Sequence, residues 1–217
     1  MENQNSNPMQ NRKTIYQFVL DRSGSMGDCW PATIQGLRSQ FSNIRNLKIE
    51  NPDQEFYSAL CVFDSIIEFP KPLSPAGPND EQYFAEISPR GGTALFDAIG
   101  DSIRHIERHA GEMLDRNEAS VVMVILTDGH ENSSSRYSSD MIRREMDRLR
   151  ATDLWSFAFI GADFDITATA NNFNMSVNSR MNISKDNMCE TFNLIDEKMH
   201  EYVALKKAGS IKKDFFQ

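Results

Sequence analysis

Two short runs constrain this chain more than anything else in it. Ile15-Tyr-Gln-Phe-Val-Leu20 and Val121-Val-Met-Val-Ile-Leu126 are apolar at nearly every position. A strand with one wet face would alternate polar and apolar residues. Near-continuous apolar runs are expected of central strands in a parallel sheet covered on both faces. Both runs end within two residues of a carboxylate, Asp21 in one case and Asp128 in the other. In an open parallel sheet, ligands gather in the crevice beyond the carboxyl ends of the strands.

The residues that follow the two runs are small and rich in oxygen. Asp21-Arg-Ser23-Gly-Ser25 offers a carboxylate and two hydroxyls at alternate positions, and Thr127-Asp128-Gly129 offers a second carboxylate. A third segment, Gly91-Gly92-Thr93-Ala94-Leu95, presents a hydroxyl just ahead of a helical pattern. Each segment alone is ordinary turn or cap chemistry. Together they are a set of hard oxygen donors of the kind that Mg2+ prefers.

This constellation closely resembles the metal-ion-dependent adhesion site of von Willebrand factor type A domains, with all five expected metal-site positions present across residues 14 to 205. The resemblance implies a doubly wound α/β fold, its mostly parallel sheet flanked by helices on both faces and ending in one antiparallel edge strand. It implies that Ser23, Ser25 and Thr93 contact the metal directly, while Asp21 and Asp128 bind it through water or exchange with that water. Mg2+ is the expected ion, with Mn2+ or Ca2+ as alternatives. A protein partner is expected to complete the coordination with an aspartate or glutamate. The chain is most similar to stand-alone bacterial members of the family, including those of tellurium-resistance systems, which act as adaptors or scaffolds. Gly91 and Gly92 are expected to let the Thr93 loop approach closely, and Gly24 and Gly129 to free the other two loops.

The remaining elements alternate as such a fold requires. A helix from Pro31 carries Ile34, Leu37, Phe41, Ile44 and Leu47 at helical spacing; Glu55 to Phe63 and Ser65 to Phe69 read as an antiparallel edge hairpin, and Pro70 to Asp80 as a loop. Leu95, Ile99, Ile103, Ile106 and Ala110 form one helical stripe, and Met188, Phe192, Ile195, Met199 and Tyr202 another. Ser139 or Asp140 is placed to cap a helix ending near Arg150. Leu154 to Ile160 reads as a strand, followed by a helix to about Asn174 and a short strand within Val177 to Ile183. Residues 1 to 13 and 206 to 217 read as tails flanking one domain, 14 to 205.

Bulk properties narrow the function. A net charge of −8, from 31 acidic and 23 basic side chains, disfavours duplex nucleic acid and anionic membranes as partners. No run approaches the ~20 apolar residues of a membrane span, and the polar start shows no secretory leader. Cys29, Cys61 and Cys189 form no Cys-x-x-Cys pattern and read as free thiols. These features point to the cytoplasm, where the glycosylation patterns at Asn132 and Asn182 have no meaning.

An enzyme is the competing reading. Metal-bound water with His130 as base would make a hydrolase, but neither a Gly-x-Ser-x-Gly elbow nor a phosphate-cradling loop accompanies it. A binding module is therefore favoured. His130, Glu131 and Asp163 are expected around the rim, where they would tune which partner fits. Asp97 reads as a loop-holding partner or a helix N-terminal acid, and Asp163 and Asp165 as turn and cap residues. His105 and His109 read as a solvated helix face rather than a zinc site, and Arg143, Arg144, Arg148 and Arg150 as intrahelical ion-pair partners.

Overall fold

The computed structural model describes residues 11–78, 80–84, 86–163, 165–211 and 214–217. Its strands are β1 (Lys13–Asp21), β2 (Glu55–Phe63), β3 (Ile67–Pro75), β4 (Ala119–Thr127), β5 (Trp155–Ala162) and β6 (Arg180–Ile183). They form one sheet in the order β3-β2-β1-β4-β5-β6, parallel throughout except for β3. The helices are α1 (Trp30–Glu50), α2 (Leu95–Asp115), α3 (Ser139–Arg150), α4 (Thr167–Asn172) and α5 (Met188–Lys207). Among the described residues no helix is long and apolar enough to cross a membrane.

The two apolar runs are the central pair, in register from Lys13 opposite Ala119 to Leu20 opposite Leu126. Their side chains divide between two cores. Tyr16, Phe18, Leu20, Val122, Val124 and Leu126 pack with Leu37, Phe41, Phe192 and Ile195 of α1 and α5. Ile15, Val19, Val121, Met123 and Ile125 pack with Ile99, Ile103 and Met146 of α2 and α3. Every β4 position is buried, which is why its sequence lacks alternation. After β1 the chain crosses to α1 on one face, and after β4 to α3 on the other. The two exits diverge and leave a crevice above Asp21, as a topological switch point requires.

Several boundaries differ from the sequence reading. The edge strand runs on through Pro70 and Pro72 to Pro75, where a loop was expected. An edge strand pairs on one side only, so a missing N–H on the other costs it nothing. The cap of α3 is Ser138, whose Oγ accepts from Met141 N at 3.3 Å. The helix after β5 is limited to Thr167–Asn172, and a 3-10 turn at Val177–Ser179 precedes β6.

The ends of the chain depart further from expectation. Residues 1–10 of the expected N-terminal tail lie outside the described residues, while Asn11 Nδ2 already bonds Ala119 O and Lys13 opens β1. The expected C-terminal tail is packed against the domain. Helix α5 continues to Lys207, and after Gly209, at φ +85°, the chain turns back. Phe215 is fully buried in the core cluster on the face that holds α1 and α5. Asp214 bridges to Phe157 of β5 and accepts from Ser176 Oγ at 2.6 Å and Ser179 Oγ at 2.8 Å. The lysine pairs disguise this arrangement, because one of those lysines points inward. Lys206 Nζ donates to Lys13 O at 2.5 Å, Thr14 Oγ1 at 2.8 Å and Ser120 Oγ at 2.9 Å.

Burial lowers the Lys206 amine from its ordinary 10.5 to about 7. Between those values the unfolded chain holds a proton that the folded chain has released, so stability should rise with pH across that window. Lys206→Met should flatten this slope in urea unfolding followed from about pH 7 to 10. An unchanged slope in the variant would show that Lys206 is not its source.

Candidate functional site

Asp21 ends β1 with its side chain fully buried. Its Oδ1 accepts from Ser23 N at 2.7 Å, closing a tight turn, and its Oδ2 accepts from Thr127 Oγ1 at 2.6 Å. Burial pushes the Asp21 carboxyl up to about 6, against the opposing pull of these bonds, and the nearby Asp128 charge adds to the rise. Ser25 Oγ donates to Asp128 Oδ1 at 2.7 Å and lies 3.1 Å from Ser23 Oγ, which is itself 3.4 Å from Asp128 Oδ1. Ser25 is exposed while Ser23 is buried, so the cluster opens to solvent on the Ser25 side.

Thr93 joins from the loop ahead of α2. A Cβ placed on Gly129 would stand 3.3 Å from Thr93 Oγ1 and 3.9 Å from Ser25 Oγ, so the two hydroxyls converge over that residue. The Thr93 loop requires its glycines. Gly91 sits at φ +68°, and a Cβ on Gly92 would come within 2.4 Å of Ser133 Oγ. Gly24 has no such need, since a Cβ there would meet nothing closer than 3.8 Å.

The five residues singled out in the sequence thus meet at one end of the sheet: two carboxylates and three hydroxyls. Among the described residues no group of three or more His, Cys, Asp or Glu is placed to hold a metal, so any cation here would depend on the hydroxyls. The donor set suits a hard divalent ion. The second oxygen of Asp128, Oδ2, is met by a cation from a distant segment. Lys185 Nζ stands 2.7 Å from it in an ion pair and also donates to Ser25 O at 2.8 Å. Burial lowers the Lys185 amine, but hydrogen bonding to Asp128 and the Asp128 charge outweigh it and leave the amine above its ordinary value.

Acidic residues around the site hold loops in place. Asp97 Oδ1 accepts from Arg136 N at 3.0 Å and Tyr137 N at 2.9 Å, and Oδ2 from Ser135 N at 3.1 Å. Burial alone would raise this carboxyl, but the three N–H groups and the Arg136 guanidinium hold it below the usual carboxylate value. Glu131, expected at the rim, is instead spent on backbone. It accepts from Phe96 N, Ser133 N and Ser134 N at 2.9, 2.8 and 2.7 Å, ordering the loop that caps α2. Asn132 Oδ1 then fixes Thr93 N at 2.9 Å. On the opposite side Asp64, buried at the end of β2, pairs with Arg22 at 3.1 Å and Arg90 at 2.8 Å. Its carbonyl accepts from Ala94 N at 2.9 Å.

Three further side chains differ from or refine the sequence reading. His105 is not solvated: its ring stacks on Phe69 at 4.5 Å and its Nε2 accepts from Leu73 N at 3.2 Å. Burial, and then the neighbouring His109, lower it to about 4. Asp163 accepts from Lys185 N at 3.1 Å, and Asp165 accepts from Thr167 N at 2.9 Å in the turn that leads into the next helix, whose cap position is Ile166. The arginines of α3 pair as expected at three positions, Arg143 with Asp140, Arg148 with Glu145 and Arg150 with Asp147. The contributions of Thr127, Asp64, Arg22, Asn132 and Lys185 were not legible beforehand. Thr127 had a signal in its place beside Asp128. Lys185 had none, since only folding carries it to Ser25, 160 residues away.

No protein-family model matches the chain, and no curated protein matches it by sequence. Solved structures do match in shape. The vWF domain of the type V pili tip protein Mfa5 from Porphyromonas gingivalis superposes with a TM-score of 0.67 at 11% identity, over 88% of this chain and 96% of that one. The fold is that of a von Willebrand factor type A domain. A von Willebrand factor type A protein from Catenulispora acidiphila matches with a TM-score of 0.54 at 16% identity, over 86% of this chain and 42% of that one. Proximal thread matrix protein 1 of the mussel byssus, solved with a zinc-occupied MIDAS motif, gives 0.58 at 20% identity, over 87% of this chain and 46% of that one.

Asp97→Ala would leave the N–H groups of Ser135, Arg136 and Tyr137 without their acceptor. The expected cost is about 2 kcal/mol or more in urea unfolding, with faster amide exchange confined to residues 132–137. Unchanged exchange there would mean that the loop is held by other contacts.

Proposed function

We propose that this chain is a divalent-metal-dependent protein-binding module. In this reading Asp21, Ser23, Ser25, Thr93 and Asp128 hold Mg2+, or Mn2+ or Ca2+, and a partner's aspartate or glutamate completes the coordination. The observation that carries it is the convergence of two carboxylates and three hydroxyls at one end of the sheet, with Asp128 Oδ1 2.7 Å from Ser25 Oγ and 3.4 Å from Ser23 Oγ, and Thr93 Oγ1 meeting Ser25 over Gly129. Buried carboxylates this near each other repel unless a cation or a proton lies between them. Three of the five donors are neutral, so a doubly charged ion would not be over-neutralised and could still attract an outside carboxylate.

The residues of the chain divide the work. Thr127 and the Ser23 backbone orient Asp21, Asn132 and the glycine pair position Thr93, and Ser25 faces the open side. The bound cation would supply a Lewis-acidic site for one acidic side chain of the partner. Likeness in fold to a protein with a zinc-occupied MIDAS motif supports metal binding in general, and the hard oxygen donors favour Mg2+. An adaptor role in the cytoplasm is part of the proposal, consistent with three free cysteines. The narrower similarity to stand-alone bacterial members rests on sequence alone.

Calorimetry should find one Mn2+ or Mg2+ site per chain. Asp21→Ala should abolish binding, Thr93→Ala should weaken it while the fold survives, and exposed His130 should be replaceable by alanine without effect. Full Mn2+ affinity in Asp21→Ala would exclude this site. Metal-dependent ester or phosphate hydrolysis lost in His130→Ala would replace the binding module with an enzyme.

A further inference from the structure

The ammonium of Lys185 lies where a site for a divalent ion should least tolerate one. Its Nζ is 2.7 Å from Asp128 Oδ2 and donates to Ser25 O at 2.8 Å, so it touches two of the five proposed ligand residues. It also covers what it touches: the Asp128 side chain is 0% exposed, whereas the Lys185 side chain keeps 18%. The lysine is delivered from a built position. Ser184 Oγ accepts from Asp186 N at 3.3 Å at the start of a short 3-10 turn, and Lys185 N is tied to Asp163 Oδ1 at 3.1 Å. Asp163 N in turn bonds Ile183 O at 2.8 Å, anchoring the turn to the end of β5. A flexible surface lysine swinging at random would have no such support.

Resting on the metal-binding reading above, we propose that Lys185 is an internal competitor for the cation site. It sets how tightly a divalent ion is held, and so the metal concentration at which a partner's carboxylate can be captured. The argument is one of charge. Asp21 and Asp128 present two negative charges when ionised, and Lys185 cancels one of them before any metal arrives. A divalent ion entering beside Asp128 must either displace the ammonium or accept a like charge within a few ångströms, and in a partly buried site both weaken binding. Displacement has a natural destination, because the carboxylate of Asp163 lies on the exposed side and already interacts electrostatically with Lys185. Without metal, the same ammonium relieves the repulsion between the two aspartates. The contact that opposes loading therefore also stabilises the metal-free protein.

The test is calorimetric titration of the full chain with Mn2+ alone, comparing wild type, Lys185→Met and Lys185→Arg, with thermal melts of each in EDTA and in Mn2+. Lys185→Met keeps the length and apolar stem and removes the charge; it should bind Mn2+ about tenfold tighter or more. Lys185→Arg should stay within about threefold of wild type, because it retains the charge. Lys185→Met should melt below wild type in EDTA and gain more from Mn2+. Binding by Lys185→Met alone would support the same conclusion in its strongest form. Equal or weaker Mn2+ affinity in Lys185→Met, with wild type binding normally, would overturn the competitor role and leave the metal site standing. If neither protein bound Mn2+, the metal-binding reading itself would fall, and this inference with it.

Discussion

Everything at the functional end of this molecule follows from one electrostatic problem. Two central parallel strands, each apolar on both faces, deliver Asp21 and Asp128 to adjacent positions at the edge of a low-dielectric core. Charged groups there are costly to bury and repel one another. The surrounding chain answers with donors: the Thr127 hydroxyl and Ser23 N–H on Asp21, the Ser25 hydroxyl on one Asp128 oxygen, and the Lys185 ammonium against the other. The two buried carboxylates are thus met by hydroxyls, one backbone N–H and one ammonium.

Around this centre most carboxylates spend their acceptor capacity on backbone and arginine, leaving little for ligands. Asp97 and Glu131 together take up the N–H groups of residue 96 and of residues 133–137, while the N–H of Asp97 itself donates to Ser134 Oγ. Asp64 holds Arg22 and Arg90. Loops would otherwise expose unpaired N–H groups beside the core; fastened this way, they present Thr93 and Ser25 in fixed relation to the strands. Preorganisation lowers the entropy that a ligand must remove on binding. An overall acidic composition therefore says little about the local potential at the crevice, where acids are paired and a lysine faces inward.

The same fold shows why polar composition misleads at the ends of a domain. Lys206 occurs in a lysine-rich, glycine-containing stretch that resembles a solvated tail, yet its amine is buried against Thr14 and Ser120. Phe215 then joins the core on the face that holds α1 and α5. His105 behaves similarly: it lies beside the apolar stripe of α2 but is covered by the edge strand, whose Leu73 N–H it accepts. A residue at the margin of a helical stripe is buried or not according to what packs over it, and periodicity within one helix carries no information about that neighbour.

What the sequence by itself determined is the central pair of strands, the alternation of strand and helix, and the identity of the five oxygen-bearing residues. Each of these is written locally: continuous apolar runs can only be buried on both faces, and strand ends carry their own turn residues. Tertiary structure alone decided that Thr93 converges with Ser25 over Gly129 and that Glu131 orders a loop instead of lining a rim. It also decided that β3 continues through its prolines and that Lys185 arrives beside Asp128 from the far end of the chain. These outcomes depend on distances between segments separated by tens to more than a hundred residues. They are set by how the helices pack on the two faces of the sheet, which no local pattern encodes.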